Sequence, residues 1–149
     1  MIIVRESLNE FKRGQDPRKA LQIGGELEKI QKWLAPYLFK SQYKVNSDWT
    51  IDIVKGDFVA YEENIPYIPE YIRFNNCSGA FVIDGRGLSD MMGCPKRIEG
   101  DFYVSYNTIQ NLNGSPEYVS GDYNIKENPG DFSVADIEKI CDVKGRIIV

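Results

Sequence analysis

Three aspartates that each follow a regularly spaced glycine are the first candidates for chemistry in this sequence. Asp57, Asp101 and Asp122 have this position, and Ala80 occupies the corresponding place after a fourth glycine. Stacked carboxylates can bind Ca²⁺, which prefers oxygen ligands. The calcium-binding repeat with nine residues and several glycines is absent, however. Because aspartate side chains also stabilise tight turns, we interpret the three residues as turn-forming aspartates and predict no metal.

The composition disfavours most other catalytic chemistry. The chain has no histidine, so the commonest general base, the usual partner of a nucleophile and the commonest metal ligand are all missing. Cys77, Cys94 and Cys141 have no CxxC spacing, which predicts reduced, buried intracellular thiols. We therefore predict a protein that is not an enzyme and has no cofactor. A carboxylate-dependent enzyme that uses Asp84 is the least favoured alternative.

The length and charge of the chain restrict the class of protein further. With 149 residues, 42% of them hydrophobic, the chain is long enough for one folded domain. No apolar run approaches the ~20 residues of a membrane span, and the first ten residues do not resemble a secretory signal. Residues 1–40 have a net charge of +3 (eight basic, five acidic) and residues 41–149 a net charge of −7 (ten basic, seventeen acidic). An acidic second part disfavours nucleic-acid binding and leaves a basic partner conceivable.

A repeat of 21 residues organises the second half of the chain. The motif GDF at 100–102 returns as GDY at 121–123, and GCP at 93–95 returns as GSP at 114–116. The short alternation after each glycine predicts one strand per repeat, and stacked turns would form a common core. The predicted inward columns are Phe58, Phe81, Phe102 and Tyr123; Ala60, Ile83, Val104 and Ile125; Ile65, Leu88 and Ile109; Ile68, Met91 and Leu112; and Cys77, Ile98 and Val119.

Two asparagines share one position just past the predicted strand. Asn107 and Asn128 are 21 residues apart, at the point where the chain must turn inward. We expect their side-chain amides to satisfy backbone groups that no neighbouring strand reaches. Glu63 and Arg86 occupy the matching place in the earlier repeats, so the predicted asparagine column is incomplete.

Residues 1–44 are predicted to form a helical N-terminal cap. Asp16 can cap a helix that begins at Pro17 and ends at Gly24-Gly25, and a second helix would run from Glu26 to Ala35. The second helix has an apolar face that either covers the open end of the repeats or binds a partner. This face consists of Leu27, Ile30, Trp33 and Leu34.

Residues 130–149 are predicted to form a C-terminal cap. Ser133 and Asp136 resemble a capping box at the start of a helix, which Gly145 would end. The apolar stripe of this helix comprises Val134, Ile137, Ile140 and Cys141. The segment 146–149 can then add a last strand.

The segment FYVSYNTIQNLNGSPEYV resembles a short leucine-rich repeat, L-x-L-x-x-N-x-L-x-x-L, with aromatic residues in place of the leading leucine. The chain combines FKRGQDPRKALQIG, repeats of the type CPxxVxGDFxxxxNxLxxLxGxP, and DFSVADIEKICDVKGRIIV. This order resembles leucine-rich-repeat-like proteins of tailed bacteriophages. The resemblance implies a single α/β domain with a leucine-rich-repeat-like solenoid at 45–129. It also implies a viral protein, located in the cytoplasm of the host bacterium or in the virion.

The outward positions of the predicted strands are the remaining candidate site. Proteins of the leucine-rich-repeat class generally bind other proteins through this face, and tyrosine is a frequent anchor of interfaces. We predict a non-catalytic module that binds a host or phage protein, with a minor virion or packaged protein as the alternative. Edge strands can pair between chains, so monomer and homodimer stay open. The predicted binding residues are Tyr61, Asp84, Tyr103, Ser105, Asn124 and Lys126.

Overall fold

The computed structural model describes residues 17–38, 40–61 and 63–149. Its central part is a β-solenoid of about four turns, with one helix at its N-terminal side and a short helix near its C-terminus. The helices are α1 (Pro17–Leu34), which continues into a 3₁₀ turn (Ala35–Tyr37), and α2 (Val134–Glu138). The strands are β1 (Gln42–Val45), β2 (Thr50–Lys55), β3 (Phe58–Val59), β4 (Arg73–Cys77), β5 (Phe81–Val82), β6 (Arg97–Ile98), β7 (Phe102–Tyr103), β8 (Tyr118–Val119), β9 (Tyr123–Asn124), β10 (Asp142–Val143) and β11 (Ile147–Ile148).

The strands form two sheets that make two walls of the solenoid. The six-stranded sheet has the order β1-β2-β4-β6-β8-β10, and the five-stranded sheet has the order β11-β9-β7-β5-β3. The strands pair in parallel, except in the antiparallel β1–β2 hairpin. Each repeat, such as the one that contains β6 and β7, therefore contributes one short strand to each sheet. The prediction of one strand per repeat is wrong, because the chain pairs with the next turn both before and after the glycine of each repeat.

A column of glycines forms the corner between the two sheets. A Cβ atom on Gly100 would lie 2.6 Å from the carbonyl carbon of Gly79, and one on Gly145 would lie 2.5 Å from the carbonyl oxygen of Gly121. Backbone atoms cannot give way at these distances, so only glycine permits the turns to stack at the spacing of paired strands. Gly145 continues this column, whereas α2 already ends at Glu138. The prediction that Gly145 ends the helix is therefore wrong.

The predicted inward columns form the core. Every member of the five columns is buried except Leu112, which is partly buried. Aromatic rings stack along the solenoid axis, with 4.6 Å between the ring centroids of Phe58 and Phe81. Trp33 of α1 stacks on the first of these rings at a centroid distance of 5.9 Å. The apolar face of α1 thus covers the N-terminal end of the core.

Helix α1 is continuous where two helices were predicted. Gly24 and Gly25 lie inside it, although each glycine in a helix interior costs ~1 kcal/mol relative to alanine. Packing of an apolar helix face against a core outweighs propensities of this size. That face includes Ile23, which precedes the glycines, and Ile30, which follows them, and both are buried. The predicted cap Asp16 lies outside the described residues.

The C-terminal cap contains the predicted capping box. Ser133 Oγ accepts a hydrogen bond from the backbone N–H of Asp136 at 3.1 Å, and the Asp136 carboxylate accepts one from the N–H of Ser133 at 3.0 Å. Ile137 is buried, but Val134 and Ile140 are 41% and 42% exposed, so the predicted apolar stripe only partly faces the core. The predicted last strand is present as β11, parallel to β9. Within the described ranges, no helix is long and apolar enough to span a membrane.

Candidate functional site

The candidate site is the outer side of the five-stranded sheet, which we call the strand face. Its central column consists of half-buried residues that lie in register on successive strands. In a parallel sheet this places neighbouring side chains about 4.8 Å apart. Ile148 of β11 extends the column by one position that sequence reasoning missed. The column comprises Val59, Val82, Tyr103, Asn124 and Ile148.

The six predicted binding residues differ widely in exposure. Tyr61 is 69% exposed, whereas Ser105 is only 3% exposed. The other four, Asp84, Tyr103, Asn124 and Lys126, are half-buried. The prediction that Ser105 faces outward is therefore wrong, and the five remaining residues define the accessible part of the predicted site.

Asp84 forms two hydrogen bonds with the buried Ser105. Its Oδ1 atom accepts a hydrogen bond from the backbone N–H of Ser105 at 2.8 Å and another from the hydroxyl at 2.7 Å. The carboxylate thus connects one turn of the solenoid to the next. Because charge-assisted hydrogen bonds fix it, this oxygen is committed to the fold rather than to a ligand.

Tyr106 is an exposed residue of the site that sequence reasoning missed. It is 58% exposed, and the ammonium nitrogen of Lys126 lies 5.5 Å from its ring centroid, within the range of a cation–π contact. Its φ of 55° lies in the left-handed region, which is costly for a bulky residue. The available signal was its position directly before Asn107, where the chain leaves the strand.

Asn107 and Asn128 hold this bend in the predicted way. The amide oxygen of Asn107 accepts hydrogen bonds from the N–H groups of Arg86 and Leu88, at 2.9 and 3.1 Å. Its amide nitrogen donates to the carbonyl oxygen of Val104 at 3.0 Å. The amide nitrogen of Asn128 donates to the same carbonyl oxygen at 3.0 Å. These side chains replace backbone partners at the bend and thereby fix the position of the neighbouring Tyr106.

The aspartate column connects successive repeats, whereas the sequence predicted that each aspartate stabilises its own tight turn. Asp57 Oδ1 accepts the N–H of Ala80 at 2.7 Å, and Asp101 Oδ1 accepts the N–H of Asp122 at 2.8 Å. Asp122 Oδ1 accepts the N–H of Arg146 at 2.8 Å. Each carboxylate therefore binds the backbone of the following turn. Among the described residues, no cluster of three or more His, Cys, Asp or Glu side chains is arranged to hold a metal ion.

Charged groups of Asp101, Asp122 and Arg146 lie near Tyr103 at the C-terminal end of the strand face. Hydrogen bonds from the Arg146 backbone and guanidinium, the latter at 3.0 Å, hold the pKa of Asp122 below its ordinary value. Partial burial raises the pKa of Tyr103, and the negative charges of Asp101 and Asp122 raise it further. A side-chain hydrogen bond to Asp101 raises the pKa of Tyr103 as well.

The three cysteines are buried and unpaired, in agreement with the sequence-based interpretation. Burial raises the pKa of the Cys77 thiol to about 11 and that of Cys141 to about 12. Burial raises the pKa of Cys94 as well. Since the thiolate is the nucleophilic form, none of the three thiols is activated for chemistry at neutral pH.

Comparisons with known proteins do not identify a family. No family model matches the chain, and no curated protein or solved structure matches it significantly.

Proposed function

We propose that this protein is a non-catalytic protein-binding module and that its partner contacts the strand face. The observation that carries the proposal is that Tyr61, Tyr103 and Tyr106 all lie in, or within three residues of, two strands of the five-stranded sheet. Tyr61 and Tyr106 are more than half exposed, and Tyr103 occupies the central column. Tyrosine offers a large amphipathic surface with few rotatable bonds, which is why it is frequent among the residues that dominate binding energy.

The backbone below these tyrosines favours binding because it is already ordered. Asp57, Asp84, Asp101 and Asp122 each connect one turn to the next through hydrogen bonds. A surface that is fixed before binding loses little conformational entropy when the partner arrives. The strand face is therefore suited to a partner that docks without a large rearrangement.

We further propose that the turns are an aromatic-rich form of the leucine-rich repeat and that the protein acts in a phage-infected bacterium. The hydrogen bonds of Asn107 and Asn128 at the bend support the first proposal. The order of the three sequence segments supports the second. The partner would then be a host or phage protein, and the site of action would be the host cytoplasm or the virion.

The test is affinity capture of the tagged protein from infected cells, read by mass spectrometry. A double variant, Tyr61→Asp with Tyr103→Asp, should lose the partner without loss of fold. Tyr67→Asp is a matched control, because Tyr67 is 61% exposed but lies outside the strand face. Equal capture by all variants would refute the strand face as the site. Capture of capsid or tail proteins would support the virion alternative instead of a host target.

A further inference from the structure

The aspartate column of the strand face ends in an arginine. Its positions directly precede the strands of the five-stranded sheet, which pair in register, and are occupied by Asp57, Ala80, Asp101, Asp122 and Arg146. At the end of the column, Asp122 uses both carboxylate oxygens. Its Oδ1 atom accepts the backbone N–H of Arg146 at 2.8 Å, and its Oδ2 atom accepts a guanidinium N–H of the same residue at 3.0 Å. The column thus contains one complete example of an arginine bound to an aspartate.

Asp57 forms only half of this arrangement. Its Oδ1 atom accepts the backbone N–H of Ala80 at 2.7 Å, as the Oδ1 atom of Asp122 accepts that of Arg146. Within the described ranges, the Oδ2 atom of Asp57 has no hydrogen bond and no ion pair. Asp57 is exposed, and the half-buried Ala80 has no side chain beyond Cβ to pair with it. This turn therefore presents an accessible carboxylate oxygen at the position where the last turn already has its arginine.

The surroundings of Asp57 on the strand face are acidic and partly apolar. Asp101 lies two strands from Asp57, at roughly 10 Å, with Ala80 between them. The outward residues at β3, β5 and β7 include no lysine or arginine, so a partner with an anionic contact surface is disfavoured there. A cation on an aliphatic stem can bind a carboxylate while its methylene groups cover apolar side chains. The outward residues are Asp57, Val59, Tyr61, Ala80, Val82, Asp84, Asp101 and Tyr103.

The outer face of the other sheet shows how an arginine fits a tyrosine beside a carboxylate. There the Arg97 guanidinium lies 3.9 Å from the ring centroid of Tyr118 and is paired with Glu99 at 2.5 Å. On the strand face, Tyr103 lies one strand and two residues from Ala80, within reach of a long side chain bound there. Among the described residues, no cation lies over the Tyr103 ring. Arginine suits this place better than lysine, because its planar fork pairs with a carboxylate and also stacks on aromatic rings.

We propose that the protein partner of the strand face places an arginine beside Ala80, with its guanidinium on the Oδ2 atom of Asp57 and its stem beside Tyr103. The inference rests on the proposed function and names the chemistry of the partner's contact segment. The contact repeats, between two proteins, the one that Asp122 and Arg146 form within this chain. Asp57 thereby binds its own fold through one oxygen and the partner through the other.

The probe is a twelve-residue peptide, selected from a display library on the wild-type protein. Counter-selection uses the double variant Tyr61→Ala with Tyr103→Ala, which removes two rings of the strand face without adding charge. Peptides that survive both steps bind the strand face. Failure to obtain any would overturn the strand face as a binding surface, and the arginine site with it.

Asp57→Asn tests the arginine site, because the amide oxygen can still accept the N–H of Ala80 while the charge is lost. Asp52→Asn is the matched control, since Asp52 Oδ1 accepts the N–H of Asn76 at 3.0 Å in the same way on the other sheet. We expect the selected peptides to contain an arginine and to bind Asp57→Asn about tenfold more weakly than wild type or the control. Replacement of that arginine by glutamine should cause the same loss on wild type and no further loss on Asp57→Asn. Peptides without arginine, or equal binding to all three proteins, would overturn the arginine site and leave the strand face as a binding surface.

Ala80→Arg supplies the arginine from within the chain. Its guanidinium should bind Asp57 as that of Arg146 binds Asp122, so Tm should be unchanged or higher and the selected peptides should bind about tenfold more weakly. Ala80→Ser is the control, because serine keeps this position small and uncharged, and peptide affinity should stay at the wild-type value. Undiminished peptide affinity in Ala80→Arg would overturn the proposal.

Discussion

Replacement of Asn107 by alanine should be one of the most destabilising single changes in the solenoid. The side chain is 7% exposed and has hydrogen bonds to four backbone groups. These are the N–H groups of Arg86 and Leu88 and the carbonyl groups of Ile83 and Val104. Each hydrogen bond contributes ~0.5–1.5 kcal/mol net, and unpaired buried groups cost more. Because water can enter the space left by the amide and pair with some of these groups, we expect the free energy of unfolding to fall by about 3 kcal/mol.

Urea unfolding measures the free energy of unfolding and thermal unfolding measures Tm, both monitored by circular dichroism. A loss of about 3 kcal/mol in a chain of this length lowers Tm by roughly 6–12 °C. Asn113→Ala is the control, because Asn113 is an exposed asparagine beyond the bend, and it should change the free energy of unfolding by less than about 0.5 kcal/mol. Equal effects of the two substitutions would refute the claim that the Asn107 amide replaces backbone partners at the bend.

Three further predictions concern other parts of the fold. The buried hydroxyl of Tyr43 has no hydrogen-bond partner among the described residues, so Tyr43→Phe should leave stability unchanged or raise it by about 1 kcal/mol in urea unfolding; a clear loss would reveal a partner. Gly100→Ala should cost more than about 3 kcal/mol or prevent folding, because its Cβ would meet the backbone of the preceding turn; a Tm like that of wild type would contradict the glycine corner. The pKa of Asp122 is lowered in the folded state. The carboxylate therefore stabilises the fold above the ordinary carboxyl pKa, and this stabilisation is lost as the pH falls through the lowered pKa. The stability difference between wild type and Asp122→Asn should therefore shrink as the pH falls below the ordinary carboxyl pKa of about 4, and a constant difference would contradict the role of its charge.

The repeating core was predictable from sequence because its signal recurs. Phe58, Phe81 and Phe102 occupy one column in three turns, and a wrong register would have placed polar residues in the core. The second strand of each turn lacked such a signal. Strand β6, for example, is only two residues long, and Arg97-Ile98 shows no alternation by itself.

The candidate site was less predictable because it depends on contacts between turns. Ser105 continues the outward alternation beyond β7, but it is buried and hydrogen-bonded to the carboxylate of Asp84, 21 residues earlier. Gly24-Gly25 resembles a helix end locally, and only the core that α1 covers explains why the helix continues. A groove between α1 and the turn before β2 brings Ile23, Trp49 and Tyr71 together from three distant segments, so no local pattern indicated it.

Site-specific photo-crosslinking can show whether a protein binds the strand face. A photoreactive phenylalanine analogue would replace Tyr103 on the strand face, and in a second variant Tyr118, a half-buried tyrosine of the six-stranded sheet. Both variants would be irradiated in infected bacterial cells. We expect a crosslink to one protein from position 103 and none from position 118. No crosslink from position 103, or the same crosslinked protein from both positions, would contradict it.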